Sequence, residues 1–285
     1  YATTIADGYD FASVLVKTRE GRPIKIESNS DAPTLGCANA RVHASVLSLY
    51  DTFRLQGPLA NGKDVSWDDF YVQVQATLKA LLATDKSVIM MTPTIASPTT
   101  SKIINDFIKA FPNIKHVVYD SIQSDAALNA YEKYYGIRGL ADYDFSKAKT
   151  IVSVDADFIA DWQGGGYEAG YAKSRIPNRH HQKATMSQHF HFESNMSLTG
   201  ANADYRVPCT PAEQKNILAF IYDSLIGVNP RKLPEDIKPI AEKSVAALKK
   251  AGSKGVLVSG IEDEVAQAVV FAINTHLRSE AFNPE

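Results

Sequence analysis

Short apolar runs, turn residues and amphipathic segments alternate along the chain and predict a mixed α/β protein. Near the N-terminus, the apolar runs at residues 14–16 and 24–26 flank a Gly-Arg-Pro turn, a pattern typical of a β-hairpin. We expect residues 1 to about 62 to be rich in β-structure, with a short helix at about 44–50.

The next segment predicts a β-α-β unit. Ser66, followed three residues later by Asp69, indicates the start of a helix whose apolar positions recur at helical spacing. The continuous apolar run at 87–91 is of the kind found in a parallel strand buried on both faces. A helix ending near Phe111 and a strand at 115–119 follow, so we expect a parallel sheet with a right-handed crossover.

The second half repeats the alternation of strands and helices. Strands are predicted at 149–154 and 255–260, with strand ends at 183–186 and 205–208. Helices are predicted at 211–226, 240–250 and 262–277, the first with an apolar face.

Composition limits the functional classes. The chain has 285 residues, a formal net charge of -2 and 45% hydrophobic residues. Nothing in it suggests a nucleic-acid surface, and no apolar run approaches the roughly 20 residues of a membrane span. Its two cysteines, Cys37 and Cys209, cannot hold an iron–sulfur cluster by themselves, because such clusters commonly need four thiolates.

A glycine-rich stretch satisfies the spacing of a dinucleotide-binding fingerprint. Gly164, Gly166 and Ala169 match G-x-G-x-x-A. The motif requires a direct step from strand to helix, whereas about seven residues separate this stretch from the strand ending at Val154. We therefore interpret it as a flexible surface loop, and a nucleotide-binding α/β protein remains an alternative.

Four histidines lie within twelve residues and raise the possibility of a metal site. They are His180, His181, His189 and His191. Imidazoles bind zinc and copper, but this spacing matches no standard ligand set. Residues 188–192 alternate as a strand does, so His189 and His191 should share a face. We expect solvated or hydrogen-bonded histidines and no metal.

Residues 21–59 carry the strongest resemblance. Their order GRPIKIESNSDAP, then Gly-Cys, then ASVLSLYDTFRLQGPL, followed by a Trp-Asp helix start, resembles the large subunits of the molybdopterin (DMSO-reductase-type) oxidoreductases. The resemblance implies that Cys37 stands where the family has the last ligand of a [4Fe–4S] cluster. It also implies that Arg41 is a vestige of the basic residue between cluster and pterin. The family's other three cysteines lie upstream, and residues 1–36 contain none.

A second stretch, residues 193–204, resembles the family's guanine-reading segment. The resemblance implies that Glu193 replaces the Asp that helps to read the guanine of the pterin cofactor, with Thr199 and Asp204 as further vestigial positions. Asp155 stands where active members commonly have a Gly-x-Asn/Asp-Pro loop, and an acidic side chain there would repel a pyrophosphate.

The position of the molybdenum ligand gives no clear motif. Active members supply Ser, Cys, selenocysteine or Asp just after the second strand of the first sheet, where this chain has Ser121, Ser124 and Asp125. Ser and Asp are also typical helix caps, and that is the interpretation we favour.

The resemblance implies an architecture of two Rossmann-like, parallel-sheet α/β domains, one inserted in the other. We expect a β-rich opening segment at 1–65, a discontinuous α/β domain at 66–138 and 254–285, and an inserted α/β domain at 139–253. The strand at 255–260 would then return to the first sheet.

One branch of the family combines these altered cofactor positions. It is the molybdopterin-like portion of the large iron–sulfur subunit of alternative complex III, a quinol:cytochrome c oxidoreductase. That resemblance implies a cofactor-free, non-catalytic scaffold, exported by a twin-arginine signal to the periplasm. It would lie beside a ferredoxin-like iron–sulfur domain of the same parent chain and the other subunits of a membrane-bound respiratory complex. The alternative is a fragment of an active oxidoreductase that holds molybdenum in bis-molybdopterin guanine dinucleotide.

Overall fold

The computed structural model describes residues 1–8, 10–29, 31–32, 38–84, 86–95, 97–176 and 186–284, with the side chain of residue 11 excepted. The chain divides into two compact units, Tyr1–Gln123 and Ser124–Glu285. Each unit contains both parallel and antiparallel strand pairs.

The first unit opens with a three-stranded antiparallel sheet. Its strands, in the order β1-β2-β3, are β1 (Ala2–Asp7), β2 (Asp10–Arg19) and β3 (Arg22–Ser28). The predicted hairpin is therefore confirmed, and Val14 and Ile26 are buried on its inner face. Helix α1 (Ala40–Ala44) and a 3₁₀ turn (Ser45–Tyr50) follow, where a short helix was predicted.

The rest of the first unit contains the predicted β-α-β segment. Its elements are β4 (Leu59–Ala60), β5 (Lys63–Asp64), α2 (Trp67–Leu82), β6 (Val88–Thr92), α3 (Pro98–Ala110) and β7 (Ile114–Val118). Ser66 caps α2 by accepting a hydrogen bond from the Asp69 amide at 3.1 Å. Strands β6 and β7 pair in parallel, as predicted.

The prediction that the first of these strands is buried on both faces is wrong. Ile89 is 55% exposed and Met91 is 68% exposed. Within the described part of the chain, β6 and β7 form a two-stranded sheet, and neither α2 nor α3 buries a residue fully. One face of β6 therefore lacks a covering layer.

The second unit is organised around a four-stranded parallel sheet. Its elements are α4 (Asp125–Tyr135), β8 (Asp142–Tyr143), β9 (Thr150–Val154), α5 (Glu168–Arg175), β10 (Gln188–Glu193), α6 (Leu198–Ala201), β11 (Tyr205–Pro208), α7 (Pro211–Ile226), α8 (Lys238–Ala251), β12 (Gly255–Ser259), α9 (Glu264–Leu277) and β13 (Phe282–Asn283). The strand order is β11-β10-β9-β12, and each pairing is parallel.

Helices cover both faces of this sheet and explain its apolar strands. On one face, Val152, Phe190 and Leu257 pack with residues of α7 and α8. On the other face, Ile151 and Val256 pack with Tyr131 of α4 and with other aromatic side chains. Strands β9 and β12 are buried along their whole length, which is characteristic of a parallel strand between two helical layers.

Strand β12 joins a different sheet from the one that the sequence predicted. The strand at 255–260 was expected to return to the sheet of residues 66–138, whereas Gly255–Ser259 pairs with Thr150–Val154. Burial explains the difference, because β9 and β12 are both buried at every position when they pair with each other. As independent domains, the predicted segments 1–65, 66–138 with 254–285, and 139–253 stay a prediction.

A search of the described residues finds no helix with the length and hydropathy required to cross a membrane. The fold class is confirmed as mixed α/β with parallel sheets.

Candidate functional site

The carboxyl edge of the four-stranded sheet is the candidate site. From β9 the chain moves outward to β10 and β11, and then crosses to the other side of β9 to form β12. The strand order therefore reverses between β9 and β12. In open parallel sheets, ligands bind outside the carboxyl ends of the strands at such a reversal.

Glu193, at the end of β10, is the most enclosed acidic residue of this edge, with 2% of its surface exposed. Its Oε1 accepts a hydrogen bond from Nε of Arg206, and its Oε2 accepts one from the Ser197 amide at 3.0 Å. Nε2 of His191 lies 2.9 Å from Oε2. Gly200 makes room for the carboxylate, because a Cβ at that position would lie 2.0 Å from Oε1.

The charge of Glu193 is stabilised in place. Burial alone would raise its pKa, but the hydrogen bonds from Ser197 and Arg206 outweigh burial and hold the pKa below the usual value. The carboxylate is therefore ionised at neutral pH and forms a partly buried ion pair with Arg206.

His189 and His191 lie on one face of β10, as the alternating pattern predicted. Ser153 of β9 lies between them, with its Oγ 2.8 Å from Nε2 of His189 and in a short hydrogen bond with Nδ1 of His191. Nδ1 of His189 lies 3.1 Å from the hydroxyl of Tyr171, on α5. Burial lowers the pKa of His189 to about 3, so its ring is neutral at physiological pH.

Asp204 and Thr199, of the stretch at 193–204, are also engaged within the protein. Asp204 accepts two hydrogen bonds from the guanidinium of Arg175, at 2.7 and 2.9 Å, and one from the His189 amide at 2.8 Å. Thr199 is fully buried, and its Oγ1 accepts a hydrogen bond from the Ile159 amide at 2.9 Å. Its own amide donates to the carboxylate of Asp157.

The point of strand reversal is closed by backbone contact. Asp155 follows β9 with φ +57°, a left-handed conformation that is uncommon for residues other than glycine. A Cβ on Gly260, just after β12, would lie 2.1 Å from the carbonyl oxygen of Asp155. Gln214 of α7 donates to Oδ1 of Asp155 at 2.9 Å and to the Ser194 hydroxyl at 3.0 Å.

Two further side chains close the same edge. The indole N–H of Trp162 donates to the carbonyl oxygen of Ser259 at 3.1 Å, and Gln267 donates to the same oxygen at 3.1 Å. The stretch around Gly164 is half-buried and follows Trp162, whose indole is tied to the sheet, and its interpretation as a flexible surface loop stays a prediction. Val154 ends β9 and Glu168 begins α5, so the motif does not join strand to helix directly.

In the first unit, Arg41 holds a buried carboxylate. Its Nε and Nη2 donate to the two oxygens of Asp10 at 2.7 and 2.8 Å, and Asn39 donates to the same carboxylate at 2.8 Å. Burial of Asp10 would raise the pKa of its carboxyl group, but these hydrogen bonds outweigh burial and lower that pKa. Cys37 lies outside the described residues.

The remaining candidates are the other two histidines, a predicted strand end and the residues near the expected molybdenum ligand. His180, His181 and the predicted strand end at 183–185 lie outside the described residues. Ser124 occupies the N-cap position of α4 but makes no capping hydrogen bond through its side chain, so the predicted cap is confirmed in position only. Asp125, in the first turn, pairs with Arg138 at 3.2 Å. Within the described ranges, no group of three or more His, Cys, Asp or Glu side chains is placed to hold a metal ion.

Sequence reasoning missed four residues of this edge. They are Ser153, Arg206, Gln214 and Gly260. Each of them reaches the edge through a partner on another strand or helix. The sequence signal consisted of two histidines and a glutamate at alternate positions of one strand, and it identified only the residues on β10.

Comparisons with known proteins place the fold. No family model and no curated protein matches the chain. Among solved structures, acetylene hydratase from Pelobacter acetylenicus is similar, with a TM-score of 0.59 and 12% identity over 95% of this chain. This chain spans 43% of the length of that protein. The similarity shows that the chain has an α/β fold like that of part of acetylene hydratase.

Proposed function

We propose that the chain is a scaffold domain, similar to the molybdopterin oxidoreductases, that holds no cofactor itself. Its parent would be the periplasmic iron–sulfur subunit of a respiratory quinol:cytochrome c electron-transfer complex. The fold supports the scaffold, and the resemblance of residues 21–59 and 193–204 to that branch supports the respiratory role.

The observation that carries this proposal is the internal engagement of Glu193. A carboxylate that reads guanine needs free acceptor positions facing the base. Here its oxygens already accept from Arg206 and Ser197, and His191 lies at hydrogen-bond distance from one of them. A guanine would have to displace these donors and leave the charge of Arg206 without its partner. The residues present therefore do not fit a pterin guanosine in this arrangement.

The closed reversal point supports the same conclusion. Asp155 and Gly260 meet backbone to backbone, and Gln214 donates a hydrogen bond to the carboxylate of Asp155. The carboxylate of Asp155, which accepts a hydrogen bond from Gln214, would repel a pyrophosphate at this edge.

The alternative function is a fragment of an active bis-pterin molybdenum oxidoreductase. The similarity to acetylene hydratase over less than half of that chain favours it, because further segments of a longer protein could supply cluster cysteines and a second cofactor-binding half. In that case Glu193 and its neighbours would rearrange on binding.

The partners that we propose come from the resemblance. They are a ferredoxin-like iron–sulfur domain of the same parent chain and other subunits of a membrane-bound respiratory complex, reached after twin-arginine export to the periplasm. A nucleic acid is not among them, since the chain has 30 basic and 32 acidic residues.

Cofactor analysis tests the proposal. The chain is produced in a host that makes active molybdopterin enzymes, with one such enzyme purified in parallel as the control for cofactor supply. Metal analysis and the fluorescence of oxidised pterin should give less than a tenth of the control's content per chain. Stoichiometric molybdenum or pterin would reject the scaffold proposal and support the alternative.

A further inference from the structure

Five buried side chains of the second unit form one continuous line of hydrogen-bonding atoms. It runs from Tyr171 through His189, Ser153 and His191 to Glu193. The three central residues are at most 1% exposed, and the terminal ones are 6% and 2% exposed. Water is thus largely excluded, and the three central residues make most of their side-chain hydrogen bonds within the line.

The ionised end determines where every proton lies. A carboxylate only accepts hydrogen bonds, so Nε2 of His191 must carry a proton and donate it to Glu193. Nδ1 of this neutral ring is then an acceptor and receives the Ser153 hydroxyl proton. The serine oxygen in turn accepts from Nε2–H of His189, whose Nδ1 accepts from the Tyr171 hydroxyl. Both rings are therefore Nε2–H tautomers.

The same five residues have a second arrangement in which the three hydrogen bonds between Tyr171 and His191 are kept but reversed. With one more proton on the His191–Glu193 pair, Nδ1–H of His191 donates to Ser153. The serine donates to Nε2 of His189, and Nδ1–H of His189 donates to the oxygen of Tyr171. The Tyr171 hydroxyl then has its own acceptor, because the carbonyl oxygen of Asn202 lies 3.0 Å away.

We propose that Tyr171, His189, Ser153, His191 and Glu193 form a proton relay that takes up one proton and reverses its direction. The protons balance as follows. A proton from water enters at Tyr171, and each member passes one proton to the next. The His191–Glu193 pair holds the last proton. Direct protonation of that pair, followed by rotation of the hydroxyl groups and tautomer exchange, leads to the same final state.

Charged groups on the neighbouring elements set the pH of the reversal. Arg206 on β11 faces Glu193 and favours its ionised form, while Asp155 and Asp157 after β9 favour a proton on His191. Burial outweighs these two carboxylates and lowers the pKa of His191 below its usual 6.5. We therefore expect the reversal on the acid side of pH 6.5.

Charges near the other end act mainly on His189. Burial, the neighbouring His191 and Arg175 lower the pKa of that ring to about 3, and Asp204 opposes them. His189 itself consequently stays neutral while the His191–Glu193 pair gains its proton. This relay goes beyond the scaffold role and does not depend on it.

Nitrogen NMR of the chain labelled with ¹⁵N-histidine tests the relay, because protonated and bare ring nitrogens have well-separated shifts. The nitrogen signals of each ring are assigned by their loss in the His189→Gln or His191→Gln variant. At pH 7.5 we expect both rings as Nε2–H tautomers. On titration to pH 4.5, His189 should become the Nδ1–H tautomer without gaining charge, with the same midpoint as the His191–Glu193 pair.

Two variants separate the relay from simple packing. Ser153→Ala removes the central hydroxyl, so His189 should no longer change tautomer when His191 titrates. Tyr171→Phe keeps the ring packing but removes the acceptor that the reversed state needs, so the midpoint should fall. His276→Gln, an exposed histidine on α9, should leave the titration unchanged.

Two results would overturn the relay. The first is an Nδ1–H tautomer of His189 at pH 7.5. The second is a His189 ring that keeps its Nε2–H tautomer while His191 titrates in the folded chain. A tautomer change that persists in Ser153→Ala would do the same. If Ser153→Ala does not fold, the midpoint shift in Tyr171→Phe decides.

Discussion

The backbones of Asp155 and Gly260 meet where β9 and β12 end, so closely that residue 260 has no space for a side chain. A Cβ there would lie 2.1 Å from the carbonyl oxygen of Asp155. The contact lies at the point where the strand order of the sheet reverses.

Gly260→Ala should destabilise the chain by about 3 kcal/mol, because backbone atoms cannot move aside as a flexible side chain can. Urea denaturation followed by circular dichroism measures the change. Gly139→Ala is the matched control in the same unit, since its Cβ would meet only Tyr131 at an ordinary distance of 3.6 Å. Equal stability of the two variants would show that the strand ends separate freely.

Arg206→Gln should lower the free energy of unfolding by about 2 kcal/mol, because the buried carboxylate of Glu193 loses its charged partner. Adding Glu193→Gln should recover part of that loss, since the carboxylate charge is then also gone. Arg231→Gln, at an exposed arginine, should change stability by less than about 0.5 kcal/mol. If the single and double variants lose the same free energy, the two residues are not coupled.

Stability should fall as the pH is lowered from 6.5 towards 3, because His189 binds a proton in the unfolded chain before it does so in the folded one. A pKa lowered from 6.5 to about 3 corresponds to on the order of 4 kcal/mol over that range. Thermal unfolding at a series of pH values measures the slope. His189→Met should flatten the slope, whereas His276→Met should not. An unchanged slope in His189→Met would contradict the assigned burial effect.

Cys209 should react very slowly with alkylating reagents in the folded chain. It is a free, buried thiol, and burial, assisted by the charges of Glu213 and Asp155, raises its pKa to about 12. In a Cys37→Ser background, alkylation at pH 8 should be at least ~100-fold slower than in urea, because the thiolate is the reacting species. Comparable rates in both conditions would show that Cys209 is accessible.

Much of the local structure could be predicted from the sequence. The hairpin, the Ser66 cap, the parallel strands at 88–92 and 150–154 and the shared face of His189 and His191 all follow from side-chain periodicity and capping. These features depend on neighbours within a few residues, so the order of residues is sufficient to indicate them.

Tertiary structure decided where β12 lies and which polar side chains at the carboxyl edge of the sheet bond to one another. An apolar strand such as residues 255–259 carries no mark of which buried strand it will join, and it paired with β9. In the same way, Glu193 and Arg206 are thirteen residues apart, and only the parallel pairing of β10 with β11 brings their charges together. By itself the sequence determined the helices, the strands and the faces of each strand, because these are set by local geometry. Which strands became neighbours, and hence which polar groups satisfied one another, was decided by how the buried surfaces packed.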